Sequence, residues 1–150
     1  MLLALTCLFT VKATSQEIYK EVNRIMHHAE AIKKDTSKDI EERKVATFKV
    51  DAIFYLLTKA AQTDGFTEFE LGKQTNAMID LVNSYIKRLS NASKKADKEI
   101  LMAKFRNATI QNPLFNDPDK EVTRAYVDNN KYITQFSIDT DWVKAYNMVK

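Results

Sequence analysis

The chain has 150 residues, with 23 Lys+Arg against 20 Asp+Glu, a net charge of +3 and 45% hydrophobic residues. That length suits one ordinary domain with a sizeable core, and the near-balanced charge excludes the basic footprint of a nucleic-acid-binding protein. A single cysteine, Cys7, excludes an intramolecular disulfide and thiolate clusters, and two glycines with two prolines are too few for the turns of a strand-rich fold.

Met1 to Phe9 reads MLLALTCLF and is followed by Val11-Lys12-Ala13-Thr14-Ser15-Gln16. The apolar run has the length of a signal-peptide h-region, and Ala13-x-Ser15 is the small-x-small pattern of a cleavage site. The run is shorter than the roughly 20 apolar residues that cross a bilayer. The sequence therefore predicts a cleaved signal peptide over 1–15, a single helical domain over 16–150, and a periplasmic or secreted location. A positively charged n-region is missing, so an N-terminal core helix is the competing reading. Leu5-Thr6-Cys7 faintly resembles a lipidation site, but Thr6 is a poor residue before a modified cysteine. Cleavage would leave a chain without thiols, and an exported protein without disulfides fits a bacterial origin.

Ile18, Val22, Ile25, Ala29 and Ile32 recur at three- and four-residue steps and predict an amphipathic helix over about 16–34. Lys33 and Lys34 suit its C-terminal dipole. Asp39 can cap a second helix reaching about Gln62, with Glu41 and Glu42 in its first turn. Its centre, Ala52-Ile53-Phe54-Tyr55-Leu56-Leu57, is apolar around much of the circumference. Such a helix is expected at the bundle centre, with Leu57 buried there. Thr63-Asp64-Gly65 stops it.

Thr67 and Glu70 form a capping-box pair at the start of a third helix. Its predicted stripe is Leu71, Met78, Leu81, Val82, Tyr85 and Leu89, and Gly72 within it permits close approach of another helix. Asn91-Ala92-Ser93 breaks the pattern. Ser93 is expected to cap a fourth helix with Ile100, Leu101, Phe105 and Ala108 facing inward, ending before Pro113. Pro113 to Pro118 reads as a turn and Asp119 to Asn129 as a short helix. Asp139-Thr140-Asp141 then leads into a last helix carrying Trp142, Val143, Tyr146 and Val149.

His27-His28 is the only histidine pair. Adjacent helical residues diverge by about 100°, so the two do not face one metal. His27 and Glu30 stand at ligand spacing, but a catalytic zinc or iron site wants about three protein ligands. The Glu-x-x-His pairs of a di-iron bundle are absent. Asp64 to Glu70 lacks the loop pattern of an EF-hand, and Asp117, Asp119 and Glu121 read as a cap with first-turn acids. No Gly-x-Ser-x-Gly or Gly-rich phosphate loop occurs, so the sequence names no catalytic residue and no cofactor. Asn91-Ala92-Ser93 and Asn107-Ala108-Thr109 match the glycosylation pattern, which carries no meaning in a bacterial protein. The C-terminal aromatics Phe115, Tyr126, Tyr132, Trp142 and Tyr146 are candidates for an interaction surface. The competing role is to lock the tail onto the bundle.

Phe136-Ser137-Ile138-Asp139-Thr140-Asp141-Trp142-Val143-Lys144-Ala145-Tyr146, taken with Ala13-Thr14-Ser15-Gln16, resembles small exported all-helical proteins of unknown function from gut anaerobic bacteria. The resemblance covers the two chain ends, implies an exported bacterial protein, and carries over no functional residues. The expected fold is an all-α, antiparallel four-helix bundle with a shorter helical C-terminal appendage. The expected function is a non-enzymatic binding or interaction protein for an unidentified protein or small molecule, without nucleic acid and without a membrane span in the mature chain. The alternative is a helical enzyme or metal-carrying bundle using His27 and carboxylates.

Overall fold

The computed structural model describes the backbone of residues 3–109 and 136–150, and the side chains of 15–109 and 136–150. The turn at Pro113–Pro118, the helix at Asp119–Asn129 and the aromatics Phe115, Tyr126 and Tyr132 lie outside the described residues. The described chain is all-helical: α1 Leu3–Lys34, α2 Ile40–Gln62, α3 Glu68–Asn91, α4 Lys95–Thr109 and α5 Trp142–Val149. Loops of a few residues join α1 to α2, α2 to α3 and α3 to α4, and each joined pair packs together, as antiparallel neighbours do.

Helix α1 begins earlier than its amphipathic periodicity suggests. No glycine or proline interrupts residues 3–34, and Leu- and Ala-rich sequence favours helix. The expected cleavage point at Ser15–Gln16 therefore lies within continuous helix. The α1–α2 loop is closed by Asp35, whose carboxylate accepts from the Ser37 backbone N–H at 2.9 Å and from its hydroxyl at 2.6 Å. These bonds hold the exposed Asp35 carboxyl below its usual pKa. Asp39 caps α2 by accepting from Glu41 N at 2.8 Å. Gly65, at φ +86°, turns the chain after α2 in a conformation that side-chain-bearing residues avoid. Thr67 caps α3 by accepting from Glu70 N at 3.2 Å, while the Glu70 carboxylate accepts from Gln74. At α4 the first turn closes from Lys94 O to Lys98 N, so Lys94 takes the cap position that the sequence assigned to Ser93.

The centre of the molecule is α3, not α2. Helices α1 and α2 pack on α3 and on each other, α4 and α5 do the same, and α3 is the shared member of both triangles. Its buried residues are Leu71, Gln74, Thr75, Ala77, Met78, Leu81, Val82 and Tyr85, an arc wider than a single stripe. Leu57 is only half-buried, and Phe54 beside it is 66% exposed. Ile100 of α4, expected inward, is 69% exposed, whereas Phe105 is fully buried. Helix α4 packs only on α3 and α5 among the described helices, so one face of it stays wet.

The short α5 is bound into this core at both ends. Gln74 Oε1 accepts from Trp142 N at 2.7 Å, and Gln74 Nε2 donates to the α5 cap Asp141 at 3.1 Å. At the other end Arg88 Nη1 donates to Val149 O at 2.9 Å. Both tethers come from α3 in rising sequence order, so α5 runs in the same direction as α3. Thr140 Oγ1 donates to Thr109 O at 3.0 Å and covers a carbonyl at the end of α4. Phe48, Tyr85, Phe105, Phe136 and Trp142 stack as one aromatic cluster, with neighbouring ring centroids such as Tyr85–Phe136 at 5.0 Å and Phe48–Trp142 at 5.8 Å.

Candidate functional site

A cleft of about 720 Å³ opens between α1, α2 and α3, on the side of the bundle away from α4 and α5. Its apolar wall draws on all three helices. Helix α1 supplies Ile25, Ala29 and Ile32, α2 supplies Val45 and Ala46, and α3 supplies Ile79 and Ile86. Its size falls within the roughly 300–1,000 Å³ of small-molecule sites.

The polar groups of the cleft divide into satisfied and unsatisfied charges. Asp39, Glu41 and Glu42 line the end formed by the start of α2. Asp39 is engaged as a helix cap, Glu41 pairs with Lys44 at 2.6 Å, and Glu42 pairs with Lys38 at 3.2 Å. Arg24 is held by both carboxylate oxygens of Glu21, at 2.6 and 2.8 Å. Lys49 and Lys87 differ: among the described residues neither pairs with a carboxylate. Lys49 Nζ instead donates to the neutral amide oxygen of Asn83 at 2.7 Å. Burial of its half-covered stem and head lowers the Lys49 pKa. Lys87 lies one turn beyond Asn83 on the same face of α3. The uncompensated charge of the cleft is therefore positive.

The residues singled out from sequence are distributed differently. Trp142 has no solvent exposure and belongs to the core, so it presents no interaction surface. Tyr146 is half-buried, with the Lys150 ammonium 5.7 Å from its ring centre. His27 is exposed and its Nδ1 lies 3.4 Å from Glu30, while His28 turns to the cleft, so the two histidines diverge. Among the described residues no three His, Cys, Asp or Glu side chains gather as a metal site, and no helix is long and apolar enough to cross a membrane.

The cleft was the feature that sequence reasoning missed. Its signal is a single polar residue placed within an apolar helical face: Lys49 among Val45 and Ala46, and Asn83 between Ile79 and Ile86. The expectation that no Ser-x-x-Lys spacing occurs is corrected by Ser84-Tyr85-Ile86-Lys87, a spacing known from acylating enzymes, but among the described residues no hydrogen bond joins Ser84 to Lys87. Comparisons with protein-family models, with curated proteins and with solved structures find no match.

Proposed function

We propose that this is an exported, non-enzymatic helical binding protein that holds a small molecule in the α1–α2–α3 cleft. The observation that carries the reading is the cleft itself, an apolar wall from three helices with a few polar groups converging on it. That is the composition of sites that bind by burial and orient by a small number of polar contacts. Export rests on the apolar run Met1–Phe9 and the Ala13-x-Ser15 pattern.

A neutral apolar dye, N-phenyl-1-naphthylamine, tests the cleft directly. The protein is expected to brighten it. Ile86→Trp, a partly exposed position on the cleft wall, should abolish the signal by filling the space. Met148→Trp, on exposed α5 surface outside the cleft, should leave it intact. Brightening that ignores Ile86→Trp places the binding elsewhere and removes the basis of the reading. Export is tested by intact mass after expression in a bacterial host: a periplasmic species starting near Gln16 is expected, and a cytoplasmic species retaining Met1 refutes it.

A further inference from the structure

We infer that the ligand of this cleft is an anionic amphiphile, a short aliphatic body ending in a carboxylate or phosphate, whose head lies between Lys49 and Lys87. This rests on the cleft reading above and names the chemical class that the cleft selects. Three observations converge on it. The wall formed by Ile25, Ala29, Ile32, Val45, Ile79 and Ile86 is aliphatic, and the one ring among the residues lining the cleft is the His28 imidazole. A flexible alkyl body fits such a wall, whereas a planar aromatic ligand finds no Phe, Tyr or Trp to stack on.

The second observation is charge. Every carboxylate lining the cleft is already engaged, by a lysine or by a helix N-terminus, and Arg24 is neutralised by Glu21. Only Lys49 and Lys87 bring charge without an acidic partner among the described residues. A cationic or zwitterionic head finds no free acid to meet, while an anion finds two ammonium groups.

The third observation is the state of Lys49. A half-covered ammonium bonded only to a neutral amide has lost water without gaining a counter-charge. An arriving anion restores that interaction in a partly desolvated site, where charge-assisted bonds are stronger than at an open surface. Lys49 is bonded to Asn83, and Lys87 follows one turn along α3 and lines the same cleft, so both ammonium groups are offered to one head group.

Isothermal calorimetry with decanoate, decyl phosphate and decyltrimethylammonium, each below its micelle-forming concentration, decides the matter. Decanoate or decyl phosphate should bind, and whichever binds more tightly identifies the head as carboxylate or phosphate. The trimethylammonium compound should bind at least about tenfold more weakly. The doubly substituted Lys49→Met/Lys87→Met protein should lose that preference while keeping its far-ultraviolet circular dichroism. The charge-retaining Lys87→Arg should preserve it. Equal binding of anion and cation, a preference that survives in the double variant, or no binding of either anion overturns the inference. The neutral dye and Ile86→Trp test the cleft separately, so a cleft without charge preference is told apart from no cleft site at all.

Discussion

Tyr85 and Thr75 show what α3 asks of single side chains at the centre of the fold. The Tyr85 ring packs 5.1 Å from Phe105 and 5.0 Å from Phe136, and the residue is 5% exposed. Burial pushes its phenol from 10.0 up to about 12, with the Arg106 charge opposing the shift. A phenol is neutral when protonated, so a raised folded-state pKa means that folding favours the proton. The corresponding stability is present in full below about pH 10 and is lost as pH climbs through about 12. Chemical denaturation from pH 8 to 12 should therefore show a steeper loss for the native chain than for Tyr85→Phe. Parallel curves would mean that the phenol reaches water. Thr75 is buried completely, and its hydroxyl has no hydrogen-bond partner among the described residues. Thr75→Val keeps the shape and removes a polar group whose desolvation costs about 1–3 kcal/mol. A higher urea midpoint is expected for this variant. A midpoint lowered by about 1 kcal/mol or more would reveal a partner for that hydroxyl.

At the scale of the helices, Gly72 sets the distance between α1 and α3. A Cβ built there would meet Ile18 Cγ2 at 3.2 Å, closer than ordinary contact but against a half-buried side chain at the edge of the core. Replacing helical glycine with alanine gains about 1 kcal/mol of propensity. Gly72→Ala should therefore stabilise by less than that, because Ile18 has to shift, and by nearly the full amount in an Ile18→Ala background. A double-mutant cycle in urea measures the coupling, and additive effects would mean that Ile18 does not feel the new methyl. The location of α3 also explains what the sequence disclosed. The starts of α2, α3 and α5 were legible because caps are local: Asp39, Thr67 and Asp141 each accept the backbone N–H that their positions require, whereas the starts of α1 and α4 differ from the expected ones. Which helix is central was not. Helix α2 carries the densest apolar run, yet spends Phe54 on solvent, while α3 hides its centrality behind Gln74 and Thr75. Gln74 is buried against α5, whose Trp142 and Asp141 it bonds, and that contact spans more than sixty residues of sequence. The cleft was hidden for the same reason, since its wall exists only when three helices meet. Leu81→Ala, at a fully buried α3 site, should cost about 2–5 kcal/mol. Leu57→Ala should cost clearly less, and equal midpoint shifts would return the centre to α2.

At the scale of the whole molecule, the two triangles that share α3 divide the labour. The α1–α2–α3 side leaves an open cleft, and on the other side Phe48 of α2 joins Tyr85, Phe105, Phe136 and Trp142 in the aromatic cluster. A cleft lined by three helices keeps its shape only if those helices are held from behind, and the C-terminal segment supplies that support. Trp142 is its anchor: it is fully buried, meets Phe48 of α2 edge-on at 5.8 Å, and contacts Phe136 at 6.4 Å. Its backbone N–H is fixed by Gln74 of α3. Removing a buried Trp side chain costs about 3–5 kcal/mol, and the loss should fall first on elements whose contacts pass through it. In Trp142→Ala, amide hydrogen exchange should accelerate in α5 and in α4, which meets only α3 and α5 among the described helices. Helices α1 and α2 have each other and should keep their protection. Native Trp142 fluorescence should be blue-shifted and resistant to iodide, as a core indole is. Uniform loss of protection across all five described helices would show instead that the two sides fold as one unit, and that the cleft has no independent frame.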